Sequence, residues 1–232
     1  MGKIVGIIGG MGPESTIRLM DKIVKYTPVK REQDHIRLIV DNNPGIPDRT
    51  EYLLGNGPSP LPMLIESARL LQDDGAQLIA IACNTAHVFI QDIGKEIRPP
   101  ILDMLALTVG KLEKQFPPDS RFILLTTSGS LAINLFQKYL NRFQLKIPND
   151  GQQNEIMKII YGEAGIKCAG DTKTNRIKIQ KIIKELMEPN LSGIIAGCTE
   201  IGLILEDQIY DLSVIDPLDV LAREIVHRAA LD

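Results

Sequence analysis

Short apolar runs alternate along the chain with stretches in which apolar residues return every three or four positions. This is the pattern of buried parallel strands separated by amphipathic helices. Lys3 to Ile8 reads as a buried strand that runs into a glycine turn, and Glu14 to Lys25 as the helix that follows. A second strand, Ile36 to Val40, enters the turn-rich segment Asp41 to Thr50. Leu64, Ala68 and Leu71 mark one face of a helix from Leu61 to Asp74, and the strand Leu78 to Ala82 then meets Cys83. The second half repeats the order: strand Arg121 to Leu125, loop Thr126 to Ser130, helix Leu131 to Phe143, basic helix Lys173 to Met187, strand Gly193 to Ala196, then Cys198. A final helix spans Pro217 to Ala230 and could pack back on the first domain. The expected fold is α/β: two similar parallel-sheet domains related by a pseudo-two-fold, residues 1–103 plus 216–232 forming the N-terminal domain and 104–215 the C-terminal one. Ligands of parallel sheets bind beyond the carboxyl ends of the strands, so the site is expected in the cleft between the domains.

Two strings end strands at matching places in the two halves, Ala82-Cys83-Asn84-Thr85 and Gly197-Cys198-Thr199-Glu200. A lone strand-end cysteine is usually small apolar filler. A pair facing one substrate is different, because a thiolate and a thiol are a matched base and acid, able to remove a proton from one face of a carbon and return it to the other. That points to a racemase or epimerase. Backbone N–H groups at a following helix would lower each thiol pKa, whereas Glu200 would raise that of Cys198 by charge repulsion. Cys168 ends no strand and is read as a bystander.

Other residues could serve the same chemistry. The loop Gly9-Gly10-Met11-Gly12-Pro13 lacks the third glycine of a dinucleotide fingerprint, and Asp41 lies farther on than the roughly 20 positions expected of an acidic partner. It reads instead as a cradle for a small carboxylate or as a plain tight turn. Arg49 is a candidate fork for a carboxylate, as is Lys167 in the loop Gly165 to Gly170. Asn84, Thr85, Thr127, Ser130 and Thr199 supply neutral donors and acceptors at strand ends, or merely cap helices. His87, four residues after Cys83, could pair with that thiol as in a cysteine hydrolase, although an oxyanion hole is not evident. His35 and His227 have no evident partner, and no Cys/His cluster has metal-ligand spacing.

Composition narrows the class. The chain has 232 residues, 44% of them hydrophobic, enough for a packed interior. With 26 Lys+Arg against 29 Asp+Glu and a net charge of -3, nothing favours a nucleic-acid or anionic-membrane partner. The early apolar run Ile4 to Ile8 is too short for a signal peptide or a membrane span, and an odd count of 3 widely spaced cysteines suits free thiols in the cytoplasm.

Gly9 to Thr16, Asn43-Pro44-Gly45-Ile46-Pro47-Asp48-Arg49-Thr50, Cys83-Asn84-Thr85-Ala86-His87 and Gly197-Cys198-Thr199-Glu200 together resemble the aspartate/glutamate racemase family over nearly the whole chain. The resemblance implies a cofactor-independent, two-thiol racemase, usually a homodimer, acting on a small amino acid. It implies Cys83 and Cys198 as paired acid and base, with Arg49 and Lys167 on the side-chain carboxylate. Asn84, Thr85, Thr127 and Thr199 would grip the α-carboxylate and ammonium, and Met11, Ser130 and Glu200 fall among the substrate-binding positions. Aspartate is the expected substrate. The alternatives are glutamate or a broader range in the same family, a thiol-dependent hydrolase or dicarboxylate isomerase using Cys83, and an amino-acid-binding module without turnover.

Overall fold

A computed structural model describes residues 2–168, 172–205 and 208–229. In the first half, β1 (Val5–Gly9) is fully buried between β2 (Leu38–Asn42) and β3 (Leu78–Ile81), all parallel. A bridge from Ile79 to Ile101 extends this sheet on the far side of β3. In the second half the order is β5 (Gln144–Lys146), β4 (Arg121–Leu125), β6 (Leu191–Ala196), β8 (Leu212–Ile215), with the short β7 (Gln208–Ile209) antiparallel at the edge. In each half the first strand in sequence lies between the second and the third, so the two sheets share one topology. That is the α/β fold expected from the patterning.

Burial follows the helical period where it was legible. Helix α1 (Pro13–Tyr26) buries Thr16, Leu19 and Ile23, and α3 (Leu61–Asp73) buries Leu64, Ala68 and Leu71. Helix α2 (Arg49–Leu53) starts at Asp48, whose carboxylate accepts from the N–H groups of Thr50 and Glu51; α4 (Ile90–Gly94) completes the first half, and α5 (Met104–Gln115) leads into the second. Asp103 caps α5 through Leu105 and Ala106.

The expected single helix Leu131 to Phe143 is instead two short ones, α6 (Ser128–Ala132) and α7 (Leu135–Tyr139). The break is at Asn134, held at φ 52, a left-handed conformation that asparagine tolerates better than most residues. Helix α8 (Asp150–Tyr161), opened by a capping box between Asn149 and Gln152, was not expected. Helix α9 (Thr172–Leu186), α10 (Thr199–Ile204) and α11 (Pro217–Ala229) follow. Ala230, the expected end of the last helix, lies outside the described residues.

Helix α11 returns to the first sheet: Leu218, Leu221, Ala222 and Ile225 share one apolar cluster with Val5, Leu19 and Ile23. A charged staple reinforces the contact. The Lys22 ammonium lies 2.9 Å from Asp219 Oδ1 and 3.6 Å from Asp216 Oδ2, and Arg223 Nε donates to Asp219 Oδ2 at 2.9 Å. Burial pushes the Asp219 carboxyl up, but the Tyr26 hydroxyl and the ammonium and guanidinium outweigh it, leaving its pKa at about 2. Burial raises that of Asp216.

Lys22→Met leaves buried Asp216 without its cation and Asp219 with only Arg223 and Tyr26, and the expected loss is about 3 kcal/mol by chemical denaturation at pH 7. The sign with pH follows from Asp219: its folded pKa is depressed, so its contribution is complete above its ordinary 3.8 and disappears as pH falls through about 2. The gap between wild type and Lys22→Met should therefore close over that window.

Candidate active site

Parallel register brings the chemical strings together. Ile8 pairs with Ile81, so Gly10-Met11-Gly12 emerges level with Ala82-Cys83-Asn84; Leu125 pairs with Ala196, so Thr126-Thr127 emerges level with Gly197-Cys198. Gly10 makes the first turn possible: its φ is 88, and a Cβ there would lie 2.3 Å from the Asn43 carbonyl carbon. The two groups of strand ends wall one small cavity. From the first half come Met11, Arg49, Cys83, Asn84 and Thr85; from the second, Thr127, Tyr161, Lys167, Cys198, Thr199 and Glu200.

Both sulfurs therefore face one space from opposite halves of the chain, and their surroundings differ in charge. Cys198 Sγ donates to Glu200 Oε2 at 3.0 Å. Burial first, and the Glu200 charge second, push the Cys198 thiol well above its ordinary pKa, against the pull of Lys167. The expected lowering by the start of α10 is overridden. Burial also opposes ionisation of Glu200, but Lys167, the Cys198 thiol and the Gly12 N–H outweigh it and hold the carboxyl below its usual value. On the other wall, Arg49 is only 5% exposed. Burial disfavours its charge, yet Cys83 and Asp48 beside it raise its pKa above the ordinary value. One sulfur thus has a guanidinium beside it and the other a carboxylate.

Several residues do other work than expected. The glycine loop does approach a carboxylate, but one of the chain's own: Gly12 N–H donates to Glu200 Oε1 at 2.9 Å, and Ser15 Oγ lies 3.3 Å from the same oxygen. Glu200 thereby ties the Cys198 string to the first sheet. Ser130 is fully buried behind the cavity wall, 3.0 Å from Thr85 Oγ1 and 3.2 Å from Thr127 Oγ1. It orients two lining hydroxyls and is not itself a lining residue. Gly129 lets α6 lie close on α2, since a Cβ there would lie 2.8 Å from Thr50 Cα. Thr199 Oγ1 donates to Glu200 Oε2 at 3.1 Å. Arg49 spends three N–H groups on the carbonyls of Ile46, Pro47 and Met11, leaving Nε without a partner among the described residues.

Asn84 stands apart. It is 1% exposed and lines the cavity, yet neither amide atom has a partner among the described residues. An unsatisfied buried amide costs stability unless it serves a ligand. Asn84→Ala should therefore leave the melting temperature unchanged or raise it while weakening substrate binding about 10-fold or more, read as KM beside thermal unfolding.

The Cys83/His87 dyad of a thiol hydrolase is contradicted. Residues 85–89 form a 3-10 turn in place of the α-helical spacing that would align positions 83 and 87 on one face. His87 Nδ1 lies 2.8 Å from the Cys83 carbonyl, so the ring is directed at the backbone, and it does not line the cavity. Burial lowers its pKa and keeps it neutral. Tyr161 was missed altogether. It ends α8, lines the cavity, donates to Thr50 Oγ1 at 3.2 Å, and carries the Lys167 ammonium 4.6 Å from its ring centroid. Lys167 also lies 3.9 Å from Asp48 Oδ2. Ala169 and Gly170, the end of its expected loop, lie outside the described residues, and Cys168 is exposed and away from the cavity. Among the described residues no cluster of His, Cys, Asp and Glu could hold a metal ion, and no helix is long and apolar enough to cross a membrane.

Comparisons with known proteins place the chain by family and fold. The family model for Asp/Glu/Hydantoin racemase matches residues 8–225. A broad-specificity amino-acid racemase, RacX, of Bacillus subtilis is 25% identical over 229 residues, 96% of each chain. The aspartate racemase of Picrophilus torridus superposes with a TM-score of 0.85 at 32% identity, covering 98% of this chain and 94% of that one. An aspartate racemase homologue from Pyrococcus horikoshii gives 0.77 at 27% identity, covering 99% and 100%. A glutamate racemase from Bacillus anthracis, 15% identical with a TM-score of 0.66, shares the fold, 99% of this chain lying over 84% of that one. The chain belongs to the Asp/Glu/hydantoin racemase family and is an isomerase of the racemase class.

Proposed function

We propose that the enzyme interconverts L- and D-aspartate by a two-base mechanism on Cys83 and Cys198. The observation that carries this reading is the one cavity lined by both sulfurs, with a cation beside one and an anion beside the other. In the resting enzyme Cys198, hydrogen-bonded to ionised Glu200, is the proton donor. Cys83, beside Arg49, is the thiolate that removes the Cα proton. After inversion the roles are exchanged, and the proton on Cys83 and the charge on Cys198 must be reset before the next turnover in the same direction.

The hard step is the weak acidity of Cα–H. Fixed donors around the substrate carboxylates stabilise the developing carbanion: the free Arg49 Nε–H, the Asn84 amide, the lining threonines and Lys167. A small, buried site strengthens each of these interactions and holds both sulfurs in line. Arg49 and Lys167 match a second carboxylate and so favour an acidic side chain, of which aspartate is the one proposed. A broader range is the second reading, supported by the full-length relative named as a broad-specificity racemase.

The proposal includes two lobes, 1–103 with 216–232 and 104–215, meeting at the cavity, the last three residues lying outside those described. Free thiols at the site suit the reducing cytoplasm. From the family resemblance it also includes a homodimer, tested by mass in solution. The function is tested by incubating the protein with each L-amino acid in turn, without added cofactor, and following optical rotation. Loss of rotation with L-aspartate is expected; no inversion of any amino acid would sink the reading.

A further inference from the structure

Among the described lining residues other than the two cysteines, Met11 is the one side chain with neither a charge nor a strong hydrogen-bonding group. It is 1% exposed and reaches into an apolar cluster with Ile8, Ile46 and Leu64. Its backbone is pinned on both sides: the Met11 carbonyl accepts from Arg49 Nη2 at 3.1 Å, and the next residue, Gly12, donates to Glu200 Oε1 at 2.9 Å. The root of the side chain is therefore fixed between two buried charges, and the flexible side chain packs in its apolar cluster at the edge of the cavity.

We infer that Met11 sets the length of substrate the site accepts, by forming the apolar wall against which the side-chain methylenes of an acidic amino acid lie. The inference rests on the racemase reading and deepens it. An α-amino dicarboxylic acid presents two carboxylates and an ammonium, and the polar lining is apportioned to these. What distinguishes a four-carbon from a five-carbon acid is one methylene, which hydrogen bonds do not recognise and packing does. In so confined a site the longer acid must press on Met11, whose backbone cannot retreat.

The test compares kcat/KM for L-aspartate and L-glutamate in wild type, Met11→Ala, Met11→Val and Leu64→Ala. Wild type should favour aspartate by about 10-fold to 200-fold, the discrimination one methylene ordinarily allows. Met11→Ala should narrow that ratio by about 10-fold, chiefly through a lower KM for glutamate, and Met11→Val should move it in the same direction by less while keeping more of the packing. Leu64→Ala removes volume from the same apolar cluster away from the cavity and should lower stability with the ratio unchanged. An unchanged ratio in both Met11 variants, an equal shift in Leu64→Ala, or a wild-type preference for glutamate would overturn the role of Met11 while leaving the racemase reading intact. Absence of turnover of either acid by wild type would overturn the role of Met11, and absence of turnover of every amino acid would overturn the racemase reading as well.

Discussion

Cys198→Ala and Cys83→Ala are each expected to lower racemisation of aspartate by about 10³-fold, the size of a well-placed general acid or base. The two should not behave alike in solvent exchange. With Cys198 gone, Cys83 can still remove the proton that faces it and return one from solvent to the same face. Exchange at Cα should then persist for one enantiomer without inversion. Cys83→Ala should spare exchange of the opposite enantiomer, to the extent that Cys198 ionises against its burial and the Glu200 charge. Both cysteines are nearly buried, at 6% and 5% exposed, and an alanine in place of either removes one heavy atom, so folding should survive. Full racemase activity in either variant would exclude a two-thiol mechanism.

Glu200→Gln carries the second large effect, a loss of about 10²-fold in turnover with a displaced pH profile. The carboxylate accepts four hydrogen bonds, from Gly12 N–H, Ser15 Oγ, Cys198 Sγ and Thr199 Oγ1. An amide has one acceptor oxygen and must turn donors toward part of that set, which costs stability of about 1.5–3 kcal/mol. The sign of the pH effect follows from the Cys198 environment. Burial raises its pKa and would remain; the Glu200 charge adds to that and would be lost. The Cys198 titration therefore moves toward neutrality. In the direction that uses Cys198 as acid, the alkaline limb should fall at lower pH, and in the direction that uses it as base, activity should appear at lower pH. A profile that keeps its limbs while only its height drops would mean that Glu200 supports structure alone.

The sequence made the strand ends legible because buried parallel strands are short unbroken apolar runs whose last residue is easy to see. Arg121–Leu125 is observed as expected, and Cys83 and Cys198 fall just beyond β3 and β6. What lay outside its reach was long-range. Nothing local to Gly12 indicates that its N–H meets Glu200 from the other sheet. Nothing local to Cys83 shows that His87 turns to the backbone, because helical spacing predicts a shared face and the chain forms a tighter 3-10 turn instead. Tyr161 was missed with its helix, although a signal was present: Asn149 followed three residues later by Gln152 is a capping box, and Gln153, Ile156 and Ile160 keep a helical period behind it. The break at Asn134 was hidden for the opposite reason, since the apolar period continues across it.

The central claim is that two different groups handle the two faces of Cα. It is tested most directly by starting the wild-type enzyme on protiated L-aspartate in deuterated water and examining both enantiomers at low conversion by mass and chiral separation. Two opposed thiols predict D-aspartate that carries deuterium at Cα while the remaining L-aspartate keeps its protium. D-aspartate that retains the original protium would show a single group carrying the proton from one face to the other, and would contradict the account.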